Sequence, residues 1–386
     1  MTAPSFDNGA GNSAGNEPTL ATDQSQSSQP SQLSPDMLAP RAAEASVSGA
    51  PSPTPGGGRV PSWVRAVVRV IGSRDYVGVL IAIVALALVI GIAHPAFLRF
   101  GQLTDVLNQA TFVAILACGM AMLLAMRELD LSVGSIYALT SVVAAILMKH
   151  GMNSWVAALI GIGVGAALGL TNGLIVQLFR LPSIVATLAT LSIFRGLAYA
   201  ISNGQQLLGP SLSDSFSVFA GGHFLGIPNT VYVMIALVAV LTGVLYYTPF
   251  GYRIRSIGSN PEAAAFSGIP VVRIRLLAFV LMGTLGGLGG VLSLGYFGAG
   301  DPNLGIGYEL LAVAAAVIGG TSLMGGKATI VGAALGSILL AVVAAGLAYF
   351  SVPINWNSFA TGAVILLAVI LDSLLRRRRT NSSPRL

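Results

Sequence analysis

The chain has 386 residues, of which 54% are hydrophobic and only 9% charged, with 47 glycines and a mean hydropathy of +0.80. That composition excludes an ordinary soluble domain and predicts an all-α integral membrane protein. The net charge of +6 does not signify nucleic acid, because the basic residues sort by side of a membrane instead of gathering into one patch.

Residues 1–60 are rich in Ser, Pro, Gly, Ala, Gln and Asn, with almost no large apolar side chains, and read as a disordered, low-complexity cytoplasmic tail. They lack the basic start and apolar core of a secretory signal. Residues 61–380 form the expected membrane domain, and 381–386 a short C-terminal tail. Apolar stretches at about 76–93, 106–126, 133–148, 155–178, 184–201, 229–247, 276–299, 309–324, 328–350 and 357–375 predict about ten transmembrane helices. Several fall short of the roughly 20 residues a full span needs, so boundaries can shift and broken or re-entrant segments are expected. With the N-terminus cytoplasmic, inside loops and flanks carry fifteen basic residues against Arg99 and Lys149 outside. This bias places both termini and the polar stretch 248–275 in the cytoplasm. Arg376 to Arg379 then close the last span as an anchor at the headgroups.

Polar breaks interrupt the apolar sequence. Arg127, Glu128 and Asp130, followed by Ser132, put ionisable groups in or beside the membrane between the second and third spans. Such groups are costly in lipid unless they meet water, each other or a pathway, so the break reads as a pathway or gate, or else as a cytoplasmic helix-capping turn. Along the fourth span Gly161, Gly165, Gly169 and Gly173 recur every four residues, a flat face that another backbone can approach. Gly283, Gly286, Gly287, Gly289 and Gly290 do the same for the seventh, and Gly332 and Gly336 for the ninth. Arg195 lies within the fifth span with no acid close in sequence; it either snorkels outward or bonds carbonyls of a neighbouring helix. Glu309 begins the eighth span, where an acid suits a helix N-terminus.

Between two long apolar stretches, residues 248–275 form a basic island with a sharp helix signal: Asn260 as N-cap, Pro261 at the first position, Glu262 at the positive end of the dipole and Gly268 as the stop. A helix of so few turns is marginal alone in water, so it is expected to dock onto something. Residues 319–329 mimic a phosphate-binding loop and fail as one. Gly326 stands where Lys must follow the second glycine, and Ala328 follows Lys327 where Ser or Thr is needed. The chain is therefore not expected to hydrolyse ATP. Cys118 is the only cysteine, and His94, His150 and His223 are far apart, so the sequence predicts no disulfide and no catalytic, cofactor or metal site.

Four stretches in order resemble the permease subunit of ribose-type bacterial ABC importers: Leu129 to Ser135, Leu181 to Leu188 running on to Gly196, Gly258 to Ile269, and Gly307 to Lys327. The resemblance covers roughly residues 76–375 and implies a multi-pass protein of the bacterial inner membrane that carries a monosaccharide or small polyol. It implies that the short cytoplasmic helix seats in a cleft of an ABC ATPase subunit, with the coupling pattern on Asn260, Glu262, Ala263, Ala264 and Gly268. It further implies a second permease copy or sister chain around a central path, and a periplasmic sugar-binding protein above. Arg127, Glu128, Asp130, Ser132, Asn172 and Arg195 are gate or path candidates, with Asn108, Thr187 and Thr190 as further polar groups. Many members of the family carry small residues where Arg127 and Glu128 stand, so an ion pair or charged gate is expected there.

An ion-coupled secondary transporter is the alternative from another mechanistic class, but Asp130 has no clear counterpart in a paired repeat. A channel or membrane scaffold is a third class, and neither it nor the secondary transporter has an obvious use for the capped cytoplasmic helix. Amino acids or a signalling furanose remain possible substrates of an ABC permease of this kind.

Overall fold

The computed structural model describes residues 76–353 apart from 212, together with 356, 359, 360, 362, 363 and 366. The expectations for the N-terminal tail, the C-terminal arginines and most of the tenth apolar stretch lie outside the described residues. The other nine apolar stretches each form a helix. In chain order the helices are α1 Val77–Ala93, α2 Phe100–Ala125, α3 Val133–Lys149, α4 Ser154–Leu178, α5 Ser183–Ser202, α6 Ser215–Gly221, α7 Asn229–Tyr247, α8 Pro249–Ser259, α9 Pro261–Phe266, α10 Val271–Phe297, α11 Tyr308–Ile318 and α12 Ile330–Tyr349. Six of them, α2, α4, α5, α7, α10 and α12, are long and apolar enough to cross a membrane, while α1, α3 and α11 are apolar but shorter. The protein is an all-α membrane protein. Two-residue antiparallel pairs join β1 (Leu207–Leu208) to β4 (Ala299–Gly300) and β2 (His223–Phe224) to β3 (Ile227–Pro228).

A helix apolar on every face must be surrounded, and α2 is: 89% of its most apolar window is buried. It packs on α12, α11 and α10, while α10 also packs on α3 and α4. The glycine stripes explain how α10 and α4 come so close. A Cβ added at Gly165 would lie 2.8 Å from the Gly287 Cα, and one at Gly169 3.0 Å from the Gly283 Cα. The stripes predicted on the fourth and seventh spans thus face one another. Gly332 and Gly336 of α12 meet the Gly319 and Ala315 carbonyls in the same manner. The outer faces stay apolar: Ile92, Leu159, Ile193 and Val240 are all exposed, a surface suited to lipid.

Two helices begin inside the bundle. The segment between α2 and α3 turns back along α5, where the N–H groups of Leu129 and Leu131 donate to the Ser183 and Thr187 hydroxyls, both at 3.1 Å. Helix α11, 11 residues long, rises only about 16 Å, roughly half a bilayer core. A loop, 301–307, feeds it, with Gly305 and Gly307 at φ +71° and +81°. Irregular backbone at this depth needs internal partners. Arg195 supplies them, its Nη1 donating to the Pro302 and Leu304 carbonyls at 2.6 and 2.7 Å. The carbonyl-bonding expectation for Arg195 holds, but the carbonyls belong to a loop and not to a neighbouring helix.

Candidate functional site

The stretch expected as one short helix in a basic loop contains two helices. Thr248 caps α8 by accepting from the Gly251 N–H at 3.3 Å. The buried face of α8, Gly251, Ile254, Ile257 and Gly258, lays it on the bundle. Asn260 then caps α9, accepting from the Ala263 N–H at 3.1 Å. At the other end Gly268, at φ +79°, donates to the Ala265 carbonyl, and Ile269 to Ala264. These paired bonds make a Schellman stop, which needs the left-handed conformation glycine takes at no cost. The expected signal at 260–268 is therefore built as read. The chain then enters α10 at Val271, so Arg273 and Arg275 sit at the start of a long helix and not in a loop as expected.

On α9 the side chains divide. Glu262, Ala263 and Ala265 are exposed, and Phe266 is 94% exposed. Ala264, expected on the coupling face, is 4% exposed and packs into the chain's own core. Phe266 was missed from sequence. The signal was present, since an aromatic two residues before a capping glycine on a six-residue helix has little of its own chain to cover it.

Around these helices the polar break and the 319–329 turn converge. Arg127, in a left-handed backbone conformation at φ +64°, donates from Nε to the Gly258 carbonyl at 2.8 Å and from Nη2 to the Ser259 carbonyl at 3.0 Å. The Gly326 N–H donates to the Ala125 carbonyl at 2.8 Å. A Cβ on Gly258 would lie 2.6 Å from the Gly326 nitrogen, so three segments meet at a point only glycine permits. The expected pairing of Arg127 with its neighbour Glu128 does not form. Glu128 instead lies 3.0 Å from the Nε of Arg275. Burial pushes the Glu128 carboxyl above the ordinary carboxylate range, opposed by its hydrogen bond to Ser183 and by the Arg275 charge.

Deeper in, Asp130, Ser132 and Asn172 form one cluster, none of them exposed. One Asp130 oxygen accepts from the Ser132 N–H at 2.9 Å and the Ser132 hydroxyl at 2.7 Å; the Asn172 amide donates to both Asp130 oxygens, at 3.3 and 3.2 Å, and to the Ser132 oxygen at 2.7 Å. This arrangement fastens α4 to the N-terminus of α3, whose dipole favours the carboxylate. As path candidates these three offer no surface to a solute in this structure, because all three are fully buried; the Asn172 Oδ1 is the one polar atom of the cluster without a hydrogen-bond partner. Arg195 is not part of the cluster. It lies twelve residues along α5 from Ser183, about 18 Å of helix, and holds the 301–307 loop. Of the further polar groups, Asn108 is bonded to Thr230, and Thr187 to Leu131 and Ser183.

With these helices and turns in place, the sequence that builds them matches a known family. Residues 102–369 match the model described as "Branched-chain amino acid transport system / permease component". The chain belongs to this permease family. The permease is 35% identical over 301 residues to the ribose import permease protein of Bacillus subtilis, covering 78% of this chain and 94% of that one. It is 34% identical to the L-arabinose ABC transporter permease protein of Azospirillum brasilense, over 85% and 96% of the two chains. An autoinducer 2 import system permease protein of Photorhabdus laumondii is 30% identical, over 80% and 92%. Among the described residues of the permease no group of three or more His, Cys, Asp or Glu side chains is placed to hold a metal ion.

Proposed function

We propose that this permease is the transmembrane subunit of an ABC importer that moves a monosaccharide or related small polyol from periplasm to cytoplasm. ATP hydrolysis occurs on a separate ABC ATPase subunit seated at α9, and a periplasmic sugar-binding protein delivers the substrate. The observation that carries this reading is α9 itself: capped at both ends, exposed, and presenting Phe266 with no cover from its own chain. An exposed aromatic at the centre of a patch is the usual anchor of a protein interface. The ribose and L-arabinose names of relatives at 34–35% identity support a sugar as cargo. Arg127 ties the carbonyls just before α9 to the break between α2 and α3, so a push on α9 reaches the Asp130 cluster through one side chain.

In this reading about ten helices span a bacterial inner membrane, both termini are cytoplasmic, and two permeases, identical or sister, enclose the path. The chain performs no catalysis. The test is co-purification with the candidate ATPase and uptake assays on three proteins: wild type, Phe266→Asp, and a Glu262→Ala, Gly268→Pro double variant. Both variants are expected to insert and fold yet lose most ATPase binding and uptake. Retention of the ATPase and normal uptake in folded variants would rule out docking at α9. The family model's amino-acid description keeps a second cargo in view; ligand binding by the cognate periplasmic protein decides between them.

A further inference from the structure

Beside the break lies a cavity of about 490 Å³, lined by Arg127, Glu128, Gln177, Arg180, Ser183 and Arg275 among others. Three guanidinium groups and one carboxylate share its wall. Glu128 is taken by Arg275, and Arg127 spends two nitrogens on neutral carbonyls that leave its charge uncompensated. Arg180 is exposed, and among the described residues it makes no hydrogen bond or ion pair. Two uncompensated cations facing one cavity repel each other unless an anion sits between them.

Other groups on the wall favour the same occupant. Helix α5 begins at Ser183 without a side-chain cap, and Pro182, Ser183 and Ile184 line the cavity, so the positive end of its dipole borders it. The Gln177 amide nitrogen is buried with no hydrogen-bond partner. The wall also carries exposed aliphatic groups, Leu181 and Ile184. A cationic cavity with aliphatic groups on its wall at the end of a membrane helix suits a head that is a phosphate and a tail that is hydrocarbon.

We propose that this cavity is a binding site for a phosphate anion, presented by the headgroup of an anionic phospholipid in the leaflet on the α9 side. The proposal rests on the cytoplasmic placement of that side but not on ATPase docking, and it is measured on the permease alone. Its failure therefore leaves the coupling reading untouched.

The purified full-length permease in neutral detergent is titrated with phosphatidylglycerol or phosphatidylcholine while its Tm is followed; inorganic phosphate at constant ionic strength forms a separate arm. Phosphatidylglycerol is expected to raise the Tm saturably and phosphatidylcholine is not. Arg180→Gln is expected to raise the half-saturating concentration by about fivefold, the loss of one basic contact at an anionic surface. Arg180→Lys, which keeps the charge, largely retains the response, and Arg253→Gln, an exposed arginine off the cavity wall, leaves it unchanged. If inorganic phosphate alone reproduces the shift with the same dependence on Arg180, the phosphate site stands and its source is the free ion. The proposal is overturned if Arg180→Gln and Arg253→Gln weaken the response equally, or not at all.

Discussion

Asp130 is fully buried, and its hydration is replaced by donors from Ser132 and Asn172. Because every donor is matched to a carboxylate oxygen, replacing one oxygen by an amide should cost more than the charge it removes. Asp130→Asn is expected to destabilise the permease by about 1–3 kcal/mol, the penalty for leaving a buried donor facing another donor. Combining it with Asn172→Asp returns an acceptor to the pair. A double-mutant cycle on detergent unfolding should therefore show a favourable coupling of about 1 kcal/mol or more. Strict additivity would mean that the two side chains do not act as a pair.

At the scale of the helices, the contact between α4 and α10 depends on what is missing from it. Gly165 and Gly169 abut Gly283 and Gly287 backbone to backbone, and no side chain fits between them. Gly169→Val should lower stability by about 1–3 kcal/mol through overpacking. Gly163, on the exposed face of the same helix, has nothing within 4 Å of an added Cβ. There Gly163→Val should stay within about 0.5 kcal/mol. Equal Tm losses in the two variants would show that helix propensity, and not the seam, sets the cost. Arg195 acts at the same scale, since its two carbonyl bonds let a broken helix begin in the interior without orphaned backbone groups.

Across the whole molecule, the irregular segments other than the 301–307 loop gather at two ends. The break at 126–132, the α8 and α9 pair and the 319–329 turn share one end; the β2–β3 hairpin follows α5 and precedes α7 at the opposite end. The proposed topology puts the first end in the cytoplasm. Cys118 is buried at 0% exposure, so engineered thiols can be read against a silent background. In intact spheroplasts His223→Cys is expected to react with a membrane-impermeant maleimide, and Ser267→Cys to react only after permeabilisation. The reverse pattern would invert the topology and remove α9 from any cytoplasmic partner.

Much of this molecule could be read along the chain because its signals are local. Nine apolar stretches became helices since hydropathy and length act on contiguous residues, and the ends of α9 followed from Asn260 and Gly268, which satisfy backbone groups within a few positions. The pairings could not be read that way. That the glycines of α4 face those of α10, that Arg127 reaches Gly258 and not Glu128, and that Ala264 turns inward while Phe266 turns out are decided by how helices distant in sequence cross. A side chain's type limits the partners it can take, and only the packing of the bundle brings one of them within reach.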